Sequence, residues 1–179
     1  MPLNVLVVDD KVLDEMHIER FDDFSSYVPN LRINTGLNTT IFMRGIGSGL
    51  NKGFEQSVGL YVDGVYHSRD RLYRSVFLDI ERVEVLKGPQ GTLFGKNTIA
   101  GAINVEPKSP EPERSSQLQL GLGDYETQEF TGIFNTPLNE QLFSRIALQS
   151  RERGAYMDNS PEGDEGPDTI ASKSYGCNI

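Results

Sequence analysis

The strictest constraint on this chain is a change of hydrophobic period at residue 117. Gln117-Leu118-Gln119-Leu120-Gly121-Leu122 alternates residue by residue, with leucine at every second place. Successive side chains of a strand point to opposite faces, so this segment has one apolar and one polar face. Gly123-Asp124-Tyr125-Glu126 reads as a tight turn and residues 127–134 as a second strand. Asn135-Thr136-Pro137-Leu138-Asn139 reads as another turn. Residues 142–149 make a third strand, with Leu142, Ile146 and Leu148 on one face and Arg145 and Gln149 on the other. Residues 151–170 are acidic, hold Gly and Pro, and have no period, so they read as a long loop. A three-stranded meander of this kind is not a finished fold. Its edges stay open and its apolar face has nothing to cover it.

Upstream the pattern is different. Residues 5–8 form a short apolar run, read as a buried strand. Asp10 is the expected N-cap of a helix over 11–16. A second helix is expected over 20–27, with Phe21, Phe24, Tyr27 and Val28 on one face, ended by Pro29. Short strands follow at Leu31–Ile33 spacing and over 40–44. Gly45, Gly47, Gly49 and Gly53 punctuate a loop. Asp63-Gly64 sits between the β-prone runs 58–62 and 65–66, a strong hairpin signal because both turn residues need positive φ. Residues 67–74 are a polar, basic loop. Residues 79–87 end in a strand over 83–86. Gly88, Gly91, Gly95 and Gly101 come next, then a last short strand over 102–105. Prolines 107, 110 and 112 lie in a polar stretch and mark a linker. The expected organisation is a domain over 1–108, a linker over 109–116, and strands with a loop over 117–179. The fold class is α+β.

Composition narrows what such a chain does. Mean hydropathy is -0.41, and no run approaches the roughly 18 apolar residues of a spanning helix. Barrel strands leave little hydropathy signal, so a membrane barrel stays open. The net charge is -9, divided as -2 over residues 1–108 (12 Lys and Arg, 14 Asp and Glu) and -7 over 109–179 (5 and 12). That balance argues against a nucleic-acid partner. Cys177 is the only cysteine, so there is neither a disulfide framework nor a thiolate metal cage. His17 and His67 stand alone.

Three motifs invite other functions. Asp9-Asp10, Asp63 and Lys87 imitate the acids and lysine of a phospho-accepting receiver, but the interval from Asp63 to Lys87 is too short for the intervening α/β units. Residues 91–97 imitate a phosphate-binding loop, yet lack one residue between the glycines and carry Asn97 where a hydroxyl is needed for magnesium. His67-Ser68-Arg69-Asp70-Arg71-Leu72-Tyr73-Arg74 is a small basic cluster that reads as a solvated loop or one that meets an anionic ligand. No nucleophile–base pair emerges, so no enzyme activity, catalytic residue, metal or cofactor is expected.

One reading takes in the whole order of motifs. Met43-Arg44-Gly45-Ile46-Gly47, then Val58-Gly59-Leu60-Tyr61-Val62-Asp63-Gly64-Val65-Tyr66, then residues 78–95 (LDIERVEVLKGPQGTLFG), then Gly101-Ala102-Ile103-Asn104-Val105 appear in sequence. Together they resemble the plug domain of TonB-dependent outer-membrane receptors. Residues 21–31 fit the helix-then-strand opening of that plug, and 117–150 fit the first barrel strands. The resemblance implies a small mixed β-sheet with short helices and Gly-rich loops, then antiparallel strands of an incomplete barrel.

It also implies a function: energised uptake of a scarce ligand across the outer membrane. Ferric siderophores come first, with haem, cobalamin and saccharides as further classes, and TonB is the energy-transducing partner. Arg44 and Lys87 stand where the plug sets cations against barrel glutamates. Lysine replaces the more usual arginine at 87, which gives up bidentate geometry. Glu81, Arg82 and Glu84 are expected to hold the neighbouring strand in the same contact. His67, Arg69, Arg71, Arg74 and Gln90 are the expected ligand-facing residues. Gly45, Gly64, Gly88, Gly91, Gly95 and Gly101 are the expected structural glycines. The turn at 123–126 and the acidic loop are expected outside the cell, the turn at 135–139 in the periplasm. No export signal or TonB box precedes Asn4, and three strands are far from a barrel, so the expectation is a piece truncated at both ends. The alternative is a stand-alone soluble plug-like binding module; a receiver-type switch ranks below it.

Overall fold

The computed structural model describes residues 4–34, 39–48, 56–67, 77–95, 97–154 and 170–178. The chain divides into two compact units, Met1–Lys108 and Ser109–Ile179.

The first unit is built on a five-stranded sheet. Its strands are β1 (Asn4–Asp9), β5 (Val58–Val62), β6 (Val65–His67), β7 (Ile80–Lys87) and β8 (Gly101–Pro107), in the order β1-β7-β8-β5-β6. β5 and β8 run parallel and the other neighbours antiparallel, so the sheet is mixed. A smaller antiparallel sheet joins β2 (Leu31–Asn34), β3 (Thr40–Met43) and β4 (Ile46–Ser48). Helices α1 (Asp10–Glu15) and α2 (Phe21–Tyr27) lie between β1 and β2 in the chain, and the short α3 (Gly91–Phe94) between β7 and β8. The core takes Val83, Val85, Ile103 and Leu60 from the large sheet, Phe21 and Phe24 from α2 with Val28 at its C-cap, and Ile33, Ile41 and Met43 from the small sheet. Phe77 meets Phe21 and Phe24 edge to face, with centroids 4.7 and 5.9 Å apart.

Local chemistry explains the element ends and corrects several expectations. Asp9, not Asp10, caps α1: its Oδ1 accepts the Val12 amide at 3.0 Å, while Asp10 occupies the first turn and pairs with Lys108 at 2.7 Å. Of the aromatic stripe on α2, Phe21, Phe24 and Val28 are buried, but Tyr27 is 36% exposed and turns away. Gly47 belongs to β4 rather than to a loop, opposite Phe42, whose ring fills the space a side chain would need. Asp63 and Gly64 have φ of 50° and 71°, the double positive turn expected, and this sets Val62 opposite Val65 and Tyr61 opposite Tyr66.

The second unit is a four-stranded antiparallel meander: β9 (Ser115–Gly123), β10 (Thr127–Pro137), β11 (Phe143–Arg153) and β12 (Ile170–Asn178). The sequence predicts three strands and a loop over 151–170; β11 runs into that stretch as far as Arg153, and the fourth strand starts at its last residue and continues beyond it. Strand β10 also continues through Asn135 to Pro137, so the turn begins at Leu138. Leu118, Leu120, Leu122, Phe130, Phe134, Ile146 and Leu148 share one face and are 37–89% exposed. Glu129, Asn135, Arg145, Gln149 and Arg151 take the opposite face by the same alternation.

Candidate functional site

One end of the five-stranded sheet gathers most of the residues singled out from the sequence. Register places Lys87 and Val58 both opposite Gly101, and His67 opposite Leu60. The segments that follow β6 and β7 and the one that precedes β5 therefore leave the sheet from the same end. Arg44 joins them from the small sheet. Its φ is 52°, its amide donates to the Asn30 carbonyl at 2.8 Å, and its Nη1 comes within 3.6 Å of where a Cβ on Gly88 would stand.

The loop between β7 and β8 is braced rather than loose. The Gly88 amide donates to Ala100 and the Gln90 amide to Thr98, both at 3.0 Å, which extends the β7–β8 ladder by two rungs. The Thr98 hydroxyl donates to the Gly95 carbonyl at 2.8 Å. Two tyrosines then clip the loop to the β5–β6 hairpin. The Tyr61 hydroxyl donates to the Phe94 carbonyl at 2.5 Å, and Asn97 Nδ2 donates to the Tyr66 hydroxyl at 2.8 Å. The Tyr61 ring lies 4.8 Å from Phe94 and 5.4 Å from Tyr66, centroid to centroid. Burial, then the neighbouring Tyr66, pushes the Tyr61 phenol above its usual range.

Lys87 is 9% exposed. Burial, and then the adjacent Arg44 guanidinium, pulls its ammonium below the ordinary lysine range. Among the described residues no carboxylate pairs with Lys87 or Arg44. Among the described residues the two cations thus meet without a counter-charge, and the arrangement can take an anion. Gln90 is 6% exposed, so its side chain fills the loop rather than facing solvent. His67 is half-buried at the end of β6. Arg69, Arg71 and Arg74 lie outside the described residues.

Glu81, Arg82 and Glu84 sit further back on β7, away from this end. Arg82 Nε donates to Glu84 Oε1 and its Nη1 to Glu81 Oε1, each at 2.8 Å. Asn104, which the sequence reading passed over, joins the group. Its Nδ2 donates to Glu106 at 2.7 Å and to Glu84 at 3.3 Å. The Arg82 bond comes first in holding the Glu84 carboxyl below its usual range.

Of the structural glycines, Gly45, Gly64, Gly88, Gly95 and Gly101 have positive φ. Gly91 has neither a positive φ nor any atom near its missing side chain. Gly101 is the most confined: a Cβ there runs into the Leu86 carbonyl and the Met43 sulfur. Tyr61, Tyr66 and Asn97 were not singled out from the sequence. For the tyrosines the signal was present, since a two-residue turn at Asp63-Gly64 dictates that they face each other.

A small mixed sheet with braced loops, followed by strands whose apolar face is bare, is a plug with the beginning of a membrane wall. Residues 1–102 match the family described as the TonB-dependent Receptor Plug Domain. The chain belongs to that family. It is 30% identical to the pesticin receptor of Yersinia pestis over 163 residues, which is 89% of this chain and 24% of that protein. It is 31% identical to the vitamin B12 transporter BtuB of Vibrio vulnificus over 125 residues, 65% of this chain and 20% of that one. The crystal structure of the ferric yersiniabactin uptake receptor FyuA from Yersinia pestis superposes with a TM-score of 0.83 at 25% identity, over 97% of this chain and 27% of that one. The chain therefore spans about a quarter of the length of these relatives.

Proposed function

We propose that this chain is the plug and the first four wall strands of an outer-membrane receptor that takes up a ferric siderophore, energised by TonB. It is a transport component and no enzyme. The observation that carries the reading is the likeness to the ferric yersiniabactin uptake receptor, which runs through both units in the same order rather than through the plug alone. That continuity favours a receptor over a stand-alone soluble module. A pesticin receptor among the relatives points the same way.

In this reading, Arg44 and Lys87 receive carboxylates from wall strands outside this chain. The Glu81–Arg82–Glu84 group holds β7 in shape behind them. His67, Arg69, Arg71 and Arg74 meet the anionic ligand, and Gln90 shapes the braced loop beside it. The turn after β9 faces outward, and the turn after β10 faces the periplasm.

The test is uptake by the full-length receptor in cells that lack other siderophore receptors. Growth on a panel of ferric siderophores under iron limitation, dependent on TonB, is the expected result. Arg69→Ala with Arg71→Ala should lower ligand affinity at least tenfold. Uptake of cobalamin with no response to any iron chelate would replace the siderophore by the ligand class of the BtuB relative. Unchanged affinity in the arginine variants would remove those residues from the site.

A further inference from the structure

The segment joining the two units is fastened. From its prolines and polar residues, 109–116 reads as a free linker. In the structure Asn135, on β10, reaches it with a side chain that is fully buried. Asn135 Oδ1 accepts the Glu111 amide at 3.0 Å. Its Nδ2 donates to the Glu111 carbonyl at 2.8 Å and to the Glu113 carbonyl at 2.5 Å. A carboxamide offers two N–H donors and a carbonyl acceptor. Here both donors and the acceptor close on one stretch of backbone, which leaves no slack between Glu111 and Glu113.

The other side of the linker is fastened too. The Lys108 amide donates to the Asp79 carbonyl at 2.9 Å, and its Nζ lies 2.7 Å from Asp10 Oδ2. Only Ser109 and Pro110 lie between the two fixed points. The difference in reach is large. Without the clasp, the chain from Lys108 to Ser115, where β9 begins, extends to roughly 24 Å, while the step from Lys108 to Glu111 extends to roughly 11 Å.

We infer that Asn135 is a positioning residue that fastens the segment between the units. Asn135 keeps residues 111–113 on β10 and leaves Ser109-Pro110 as the whole of the chain between the two fixed points. For Lys108 to lie more than about 11 Å from the place on β10 where Asn135 holds Glu111, the clasp must first break. Asparagine suits the task because two carbonyls need donors. Asn135→Asp keeps the acceptor for the Glu111 amide but sets a carboxylate against both carbonyls. Asn135→Leu leaves all three backbone groups without their partner. This inference goes beyond the transport reading and does not depend on the ligand.

The test uses the whole chain in dodecyl maltoside, read by hydrogen exchange and by limited digestion with a glutamate-specific protease. In the wild type the Glu111 amide is protected, and the Glu113–Arg114 bond is cut at least tenfold more slowly than in the urea-unfolded chain. Asn135→Asp should speed both at least tenfold, while amides of β7, β8 and β10 keep their rates. Because Asn135 is buried, a second variant leaves β10 untouched. Glu111→Pro removes the donated N–H from the linker side, and cleavage after Glu113, relative to that variant's own unfolded rate, should rise at least threefold. Should Asn135→Asp strip β10 of protection, the Glu111→Pro arm decides. A wild-type chain cut at Glu113 as fast as its unfolded form, or variants with unchanged rates, would overturn the anchor. Either result leaves the siderophore reading where it stands, since no ligand enters the measurement.

Discussion

Lys87 carries charge to a buried place with another cation beside it. Burial and Arg44 both disfavour its ammonium, so its folded-state pKa lies below the ordinary 10.5. The unfolded chain then holds more protons across the window between the two values, and stability of the wild type climbs as pH rises toward 10.5. Lys87→Met should therefore stabilise this chain at pH 7 by on the order of 1 kcal/mol, and the advantage should fade near pH 10. Urea unfolding of both forms in detergent at the two pH values reads it; a gap that is the same at both would contradict the cause. In a receptor whose wall supplies the carboxylate, the same substitution should destabilise instead. Gly101 offers a second residue-scale check. The Leu86 carbonyl that a Cβ would strike belongs to the paired strand and cannot move alone, and φ there is 156°. Gly101→Ala should cost about 2–3 kcal/mol by the same unfolding assay, while Gly91→Ala, with open space around it, should cost next to nothing. Residues of this kind were legible only in part. A glycine run in the sequence signals tight backbone, but not which glycine is trapped, because the trapping atoms come from Met43 and Leu86, distant in the chain. Asn135 gave less signal still: Asn135-Thr136-Pro137 reads as a turn, and the backbone it holds lies 22–24 residues earlier.

At the scale of elements, the β7–β8 ladder carries its own pH dependence. Glu84 is held below its usual 4.5, first by the bond from Arg82, with Asn104 adding to it and burial opposing. A depressed carboxyl contributes stability that is complete above the unfolded value and is lost as pH falls through the folded one. Arg82 is 38% exposed, so solvent screening keeps the contribution below about 1 kcal/mol. Arg82→Met should flatten the decline in stability below pH 4.5, measured as the change in unfolding free energy between pH 5.5 and 3.5; an unaltered slope would assign the acid limb to other carboxylates. The same ladder shows why some elements were readable and others not. β7 and the β5–β6 hairpin follow from local pattern, a run of β-branched residues and an Asp-Gly turn. β12 does not. Ile170–Asn178 holds Ser172, Ser174, Lys173 and Gly176 and alternates weakly, so it is a strand because β11 pairs with it along nine residues. β4 is similar, three residues around Gly47 that gain their form from β3. The α1 cap lies one place before the expected one because Asp9 and Asp10 offer the same chemistry, and only the backbone turn decides which one faces the Val12 amide.

The two units of the whole molecule are stabilised by different environments. The first has a closed core in which Phe24, Leu60, Val83, Val85 and Ile103 are fully buried, so burial of apolar surface supports it in water. The second places Leu118, Leu120 and Leu122 at 65, 79 and 89% exposure on a face with Phe130, Phe134, Ile146 and Leu148. At about 25 cal/mol for each Å² removed from water, covering such a face is worth several kcal/mol, and in water nothing covers it. Strands β9 and β12 also lie at the two edges of the sheet, where unpaired backbone invites other chains. In plain buffer the chain should therefore associate through its strands while the first unit stays folded. Adding dodecyl maltoside above its micelle concentration should return it to a single species. Substituting Leu120→Glu and Leu148→Glu should reduce association in buffer and weaken binding to lipid vesicles together, because both draw on the same face. Sedimentation with and without detergent, alongside vesicle flotation, gives both readings. A chain that is monomeric in buffer and indifferent to vesicles would mean that the apolar face of the strands is covered by the protein itself, and the wall reading of the second unit would fall.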